Sequence, residues 1–95
     1  MSDNSQARHE RRLTIVNKRG LHARAAAKFV TVAGGFKSAI EVERNGQAVS
    51  GRSIMGLMML AASIDTEIIV RAEGPDADAA LDAIEEMVAA KFDED

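Results

Sequence analysis

A histidine and an arginine two residues apart are the side chains of this sequence best suited to chemistry. His22 and Arg24 lie in residues 20–24, between a predicted strand and a predicted helix. An imidazole nitrogen is a nucleophile, and a guanidinium offers a planar fork of donors that suits phosphate oxygens. Because the first turn of a helix has free backbone N–H groups, it can also bind an anion attached to that nitrogen. The segment therefore predicts phosphoryl transfer through His22, with Arg24 binding the phosphoryl oxygens.

The sequence lacks the residue sets that other common kinds of catalytic or metal-binding site require. The chain has no cysteine, and its two histidines, His9 and His22, are too few and too far apart to suggest a zinc site. It has no P-loop and no Ser/His/Asp set, so we expect neither a metal nor a cofactor. A lone histidine in a turn is more commonly a solvated residue or a helix cap, and residues 20–24 alone leave that interpretation open. His9 lies in a polar segment and is assigned no role.

The length of 95 residues indicates one small domain. The chain has three Phe and no Trp or Tyr, so its core must consist mainly of aliphatic residues and Met. The net charge of -3 argues against a nucleic-acid binder. The longest apolar run, residues 54–64, is too short for a membrane span of about 20 residues. Residues 1–10 lack the apolar segment of a signal peptide. We expect a cytoplasmic protein with a mobile tail over residues 1–10, a domain over 11–92 and an acidic tail over 93–95.

Hydrophobic periodicity predicts the elements that position residues 20–24. Alternating apolar residues predict strands over residues 12–17, 38–44, 47–50 and 66–72. Spacings of three and four predict helices that begin near residues 23, 53 and 76. Asn45-Gly46 predicts a hairpin, and Ser53 is a plausible N-cap. The order β-α-β-β-α-β-α predicts an α+β open-faced sandwich, in which three helices cover one face of a four-stranded antiparallel sheet.

Two motifs resemble the HPr family, the histidine phosphocarriers of the bacterial phosphoenolpyruvate-dependent phosphotransferase system. Gly-Leu-His-Ala-Arg at residues 20–24 is similar to the family's active-site signature, and GRSIMGLMML at residues 51–60 is similar to its regulatory-serine segment. The resemblance extends from about residue 12 to residue 92. It implies that Enzyme I donates a phosphoryl group to Nδ1 of His22 and that an EIIA-type protein accepts it. Arg24 would stabilise the phosphoryl group in both transfers. The resemblance implies a phosphoryl carrier rather than a stand-alone enzyme.

The second motif implies a regulatory site and a docking surface. Ser53 matches the serine that an ATP-dependent HPr kinase/phosphorylase modifies in some bacteria, although a serine here is also a good helix cap. Ile54 and Met55 match the family's docking patch beside the active site. The basic rim expected around this patch comprises Arg24, Lys28 and Arg52. We expect a monomer with no nucleic-acid or membrane partner.

The sequence departs from the family pattern at two positions and leaves other functions open. Ala25 stands where the family usually has Pro, so the fixed φ of the helix start is lost and His22 is expected to be less rigidly placed. Arg19 stands where many relatives carry Asn, which adds positive charge beside the site. One alternative is a regulatory protein of the nitrogen-branch phosphotransferase system that docks to kinases or regulators. Another is an α+β small-molecule-binding domain, if His22 is buried and unreactive.

Overall fold

The computed structural model describes residues 8–94 as four strands and three helices; residues 1–7 and 95 lie outside this description. In chain order the elements are β1 Arg8–Thr14, α1 Ala23–Ala33, β2 Ala39–Arg44, β3 Gln47–Ser50, α2 Ile54–Met59, β4 Glu67–Glu73 and α3 Ala77–Ala89. A short 3₁₀ turn at Lys91–Asp93, here called the C-terminal turn, follows α3. This order confirms the predicted β-α-β-β-α-β-α arrangement. Within the described part of the chain, no helix is long and apolar enough to cross a bilayer.

The four strands form one antiparallel sheet in the order β1-β4-β2-β3. Asn45 and Gly46 join β2 to β3 with φ angles of 53° and 81°. Positive φ at both central residues is what a type I′ hairpin requires, as the Asn-Gly pair predicts. The central strand β4 pairs with both β1 and β2, so the two halves of the chain meet in the middle of the sheet.

One face of the sheet carries the core, and the other is charged. Buried residues alternate along β2 and β4, and those of the sheet include Leu13, Ile40, Val42, Ile68, Val70 and Ala72. They pack beneath the helices, where Phe29 of α1 and Ile84 of α3 are fully buried. On the opposite face, Arg71 forms ion pairs with three glutamates on the neighbouring strands, at N–O distances of 2.6 to 3.3 Å. The open-faced arrangement follows from this division, because only one side of each strand is apolar.

The first strand begins at residue 8, whereas the hydrophobic pattern predicts a start at residue 12. Its early residues are polar, and two of them, His9 and Arg11, face acidic residues of α3. The imidazole of His9 lies 2.8 Å from the carboxylate of Asp78, and Arg11 lies 2.7 Å from Asp82. Such cross-element ion pairs leave no trace in an apolar alternation. Residues 8–10 of the predicted tail therefore belong to the sheet, and the rest of that tail lies outside the described residues.

Asp76 joins the start of α3 to the segment before β2. Its carboxylate accepts hydrogen bonds from the backbone N–H groups of Lys37 and Ser38, both at 2.9 Å, and from the Ser38 hydroxyl at 2.6 Å. It makes no cap hydrogen bond to α3, although the sequence places it at the positive end of that helix. The bond from the Lys37 N–H is the largest of the contributions that together lower the pKa of Asp76 below its ordinary value.

We expect Asp76→Asn to lower stability at neutral pH and to have a smaller effect in acid. The pKa of Asp76 in the folded state lies below the unfolded value of about 3.9, so its ionised form stabilises the fold above that pH. The contribution is lost as the pH falls through the folded-state pKa. Urea unfolding of wild type and variant at pH 7 and near pH 3 measures this. Asp65→Asn, at an exposed carboxylate, is the matched control. A stability difference that did not change with pH would contradict the prediction.

Candidate functional site

His22 is the N-cap residue of α1, with extended backbone angles of -77° and -178°. Its carbonyl accepts the hydrogen bond of the Ala26 N–H at 2.8 Å, and so begins the helix. Its ring nitrogen Nδ1 accepts a hydrogen bond from the backbone N–H of Arg24 at 3.3 Å. Nδ1 is therefore directed at the free N–H groups of the first helical turn, and its lone pair lies at the positive end of the helix.

The turn before His22 depends on a close approach between two segments of backbone. The N–H of Leu21 donates to the carbonyl of Ala62 at 2.9 Å, and the Leu21 side chain is buried. Gly20 has a φ of +65° and lies so close to the backbone of Ala62 that a Cβ atom at Gly20 would be 2.4 Å from the Ala62 oxygen. Only glycine allows both this angle and this contact. The glycine of the motif thus sets where His22 begins the helix.

Asn17 is a site residue that the sequence analysis missed, because it treated this asparagine as part of a turn. Its side chain is fully buried, and its amide nitrogen donates to the carbonyl of Gly20 at 2.8 Å and to Glu94 Oε1 at 3.0 Å. Both partners are acceptors, so the amide nitrogen must face them. The side-chain oxygen has no hydrogen-bond partner among the described residues. Asn17 therefore links the turn before His22 to the end of the chain.

The predicted acidic tail over residues 93–95 is packed against the site in its described part. Phe92 is fully buried, and the C-terminal turn has φ angles of 55° to 62° at all three of its residues. This left-handed turn reverses the chain after α3 and directs the Glu94 side chain to the ring of His22. Glu94 Oε2 forms a hydrogen bond with His22 Nε2, and the Glu94 side chain is only 11% exposed. Phe92, an aromatic residue directly before the acidic residues 93–95, is the sequence signal that could have indicated this docking.

Burial and hydrogen bonding act in opposite directions on the pKa of Glu94. Desolvation raises the pKa, but the hydrogen bonds from Asn17 and His22 and the positive charge of Arg19 together outweigh it. The pKa of Glu94 is lowered below its ordinary value as a result. The carboxylate beside His22 is therefore ionised at neutral pH.

Three cations surround a shallow basin next to this carboxylate. The basin is lined by Arg19, Arg24, Lys28, Asp93 and Glu94. Arg24 is exposed, so its guanidinium is free to turn toward an anion on His22. Lys28 has a second role, because its Nζ donates to the Phe92 carbonyl at 2.7 Å and lies 3.7 Å from Asp93. It therefore anchors the C-terminal turn, a function that the sequence analysis did not predict.

The second predicted motif forms the start of α2 and an exposed apolar surface. The Oγ of Ser53 accepts a hydrogen bond from the Gly56 N–H at 2.9 Å, which confirms the predicted N-cap. Ile54 is 40% exposed and Met55 is 74% exposed. Two further exposed residues of this helix are Met58 and Met59, whereas Leu57 and Leu60 are buried, as expected. We call the exposed side chains of Ile54, Met55, Met58 and Met59 the α2 patch.

The guanidinium of Arg52, predicted in the basic rim of the docking surface, lies at the end of α1 opposite His22. Its guanidinium donates to the carbonyls of Phe36 at 2.8 Å and Ala33 at 3.2 Å. These carbonyls lie at and just after the C-terminal end of α1, opposite the end that His22 begins. A cation there satisfies free carbonyls at the negative end of the helix. Of the three predicted rim residues, the structure brings Arg24 and Lys28 to the basin and leaves Arg52 at the other end of α1.

An open-faced sandwich whose first helix begins with a partly exposed histidine defines the class of histidine-containing phosphocarriers. Comparison with known proteins agrees with this class. The family model described as "PTS HPr component phosphorylation site" matches residues 9–90. The chain therefore belongs to the HPr family and is a phosphocarrier of the phosphotransferase system.

Individual relatives support the same family over most of the chain. The phosphocarrier protein HPr of Cupriavidus necator is 47% identical over 85 residues, which are 90% of this chain and 96% of that protein. The phosphocarrier protein NPr of Shewanella violacea is also 47% identical over 85 residues, 90% of this chain and 93% of its own. Among solved structures, HPr-C-His from Thermoanaerobacter tengcongensis matches with a TM-score of 0.88 and 41% identity, covering 92% of this chain and 98% of the other.

Proposed function

We propose that this protein accepts a phosphoryl group on Nδ1 of His22 from phosphorylated Enzyme I and donates it to an EIIA-type protein. The observation that carries the proposal is the hydrogen bond from the Arg24 N–H to Nδ1. It places the lone pair of Nδ1 at the helix N-terminus, where phosphate groups bind well. Once Nδ1 is bonded to phosphorus, the same N–H is close enough to donate to a phosphoryl oxygen instead.

The transfer itself requires little from the protein beyond position and charge. The lone pair of Nδ1 forms a bond to phosphorus while the donor's bond to phosphorus breaks, and the donor's nitrogen keeps that electron pair. Arg24 supplies a flexible guanidinium for the phosphoryl oxygens, and Arg19 adds positive potential. We expect a partner's histidine to approach Nδ1 in line from the side of the basin, where Arg19 and Arg24 lie. A carrier must also release its group, and a deep, closed site would oppose that release.

The α2 patch is our proposed docking surface for these partners. Met55 is its most exposed member, and flexible Met side chains suit a surface that must bind several partners in turn. Arg24 and Lys28 lie on α1, the helix against which α2 packs, and we expect partner surfaces that combine apolar and acidic residues. We expect the exchange to take place in the cytoplasm with this protein as a monomer.

Incubation with Enzyme I and phosphoenolpyruvate tests the function directly. We expect one phosphoryl group per chain, labile in acid as a phosphohistidine is, and we expect a cognate EIIA-type protein to remove it. Reactions without Enzyme I or without phosphoenolpyruvate are the controls. Comparison of sugar-branch and nitrogen-branch EIIA acceptors distinguishes a sugar carrier from the alternative, a nitrogen-branch regulator. Absence of labelling, or an acid-stable phosphate alone, would contradict the proposal.

Regulation at Ser53 is a second proposal, and the geometry of α2 supports it. A phosphate on the Ser53 Oγ would lie at a helix N-terminus, where its charge is tolerated, and would add about two negative charges beside the α2 patch. We expect ATP and a cognate HPr kinase/phosphorylase to modify Ser53, and the product to accept phosphoryl groups from Enzyme I more slowly.

Alanine variants of two serines that are close in the sequence, Ser53 and Ser50, provide the matched comparison in this kinase assay. Ser53→Ala should abolish the modification, whereas Ser50→Ala should leave it unchanged, because Ser50 is exposed but does not cap α2. Mass spectrometry of the modified peptides identifies the residue. Modification at a residue other than Ser53, or none with an active kinase, would rule out this regulation.

A further inference from the structure

The two ring nitrogens of His22 have partners of opposite kind. Nδ1 accepts from the Arg24 N–H, whereas Nε2 faces Oε2 of Glu94. An ionised carboxylate can only accept a hydrogen bond, so the proton of the neutral ring must lie on Nε2. Both contacts therefore favour the same tautomer, in which Nδ1 is unprotonated.

We propose that Glu94 is a positioning residue for phosphoryl transfer, holding His22 in the Nε2–H tautomer and stabilising the positive charge that the ring acquires when Nδ1 bonds to phosphorus. This inference rests on the proposed function and extends it to a residue outside the two sequence motifs. Glu94 then contributes to phosphoryl transfer itself, and its contact with His22 is more than a structural one.

Each step of the transfer gives Glu94 a defined part. When Nδ1 attacks, no proton leaves His22, so the ring becomes a phosphorylated imidazolium with its proton still on Nε2. The carboxylate then compensates that cation, as the aspartate does for histidine in a Ser-His-Asp triad. When the group is passed on, the bond from Nδ1 to phosphorus breaks and its electrons return to the ring. Because Nε2 has kept its proton, the leaving group is a neutral imidazole rather than an anion.

The carboxylate is held in place by more than its contact with His22. Its second oxygen, Oε1, accepts a hydrogen bond from the buried amide of Asn17. The chain reaches this position through a left-handed turn of three residues other than glycine, a conformation that is strained for residues with a Cβ atom. Burial of Phe92 and the hydrogen bond from Lys28 to the Phe92 carbonyl stabilise that turn. A side chain fixed in this way differs from an exposed ion pair, in which both partners move freely.

The test compares Glu94→Gln with Glu73→Gln. Glutamine keeps the size of the side chain but has one acceptor oxygen in place of two, so Asn17 and His22 no longer each have an acceptor of their own. Glu73→Gln makes the same change at an exposed carboxylate at the end of β4, which does not line the basin. ¹⁵N–¹H correlation spectra of the His22 ring in the unphosphorylated full-length protein report the tautomer without any partner. Stopped reactions with Enzyme I report the rate of phosphoryl acceptance.

We expect the Nε2–H tautomer to predominate in wild type and in Glu73→Gln, and to lose its predominance in Glu94→Gln. We also expect Glu94→Gln to lower the rate of acceptance about tenfold, the size of effect typical of a charge-assisted hydrogen bond, with Glu73→Gln close to wild type. The same tautomer in wild type and Glu94→Gln, or equal slowing in both variants, would overturn the inference. If wild type accepted no phosphoryl group, the proposed function would fail, whereas the tautomer comparison would still decide whether Glu94 orients the ring.

Discussion

His22→Ala is expected to reduce phosphoryl acceptance from Enzyme I to background. The reason is chemical: the variant lacks the ring nitrogen whose lone pair faces the helix N-terminus. Arg24 and the free N–H groups remain, but they bind an anion and do not form a bond to phosphorus. The measurement is incorporation of label from phosphoenolpyruvate over time, with Enzyme I in fixed amount.

His9→Ala is the matched control for this loss. It removes the other imidazole of the chain, which is paired with Asp78 beside α3. We expect it to be labelled at the wild-type rate. Loss of the N-cap in His22→Ala should cost about 1 kcal/mol of stability, so the variant should still be folded at the assay temperature, as urea unfolding can establish. Labelling of a folded His22→Ala protein at the wild-type rate would contradict the assignment.

Gly20→Ala is expected to destabilise the fold by at least about 3 kcal/mol, a cost in the upper range for single substitutions. Two effects add at this position. A residue with a Cβ atom at a φ of +65° pays a strain of roughly 1–2 kcal/mol. The added Cβ would also lie 2.4 Å from the Ala62 carbonyl oxygen, which is backbone and cannot rotate away. Relief of the contact must separate the turn before His22 from residue 62, so phosphoryl acceptance should fall as well.

Gly46→Ala separates the strain from the collision. Gly46 has a φ of +81°, but a Cβ there would meet no atom within 4 Å. We therefore expect this variant to lose only about 1 kcal/mol, for the strained angle alone, and to accept phosphoryl groups normally. Urea unfolding of the two variants beside wild type gives the comparison. If Gly20→Ala and Gly46→Ala lowered the free energy of unfolding equally, the close approach to Ala62 would not contribute to stability, and the prediction would be wrong.

The elements of the fold could be predicted from the sequence because their signals are local. Strand alternation, the Asn45-Gly46 turn and the Ser53 cap each depend on residues within a few positions of one another, and the structure confirms all three. The position of His22 at the start of α1 follows from the same kind of signal. Where the boundaries differ, as at the start of β1, the stabilising contacts are ion pairs with a helix that lies far along the chain.

The environment of His22 could not be predicted, because it is formed by distant residues. Glu94 is 72 positions from His22 and 77 positions from Asn17, and no local pattern joins them. The contacts of Arg52 are equally non-local: it adjoins Ser53 in the sequence, but its long side chain reaches the far end of α1. The absence of proline at Ala25 leads to the expectation that His22 is less rigidly placed, which stays a prediction. The contacts at both ring nitrogens of His22 are what no local pattern indicates.

The position of the phosphorus atom on the phosphorylated protein tests the central claim most directly. Protein labelled with ¹⁵N and phosphorylated by Enzyme I can be studied by ³¹P and ¹⁵N NMR, in which coupling between the two nuclei identifies the bonded nitrogen. We predict that phosphorus couples to Nδ1 of His22 and to no other nitrogen of the chain. Phosphorus bonded to Nε2, to His9 or to an oxygen would contradict it.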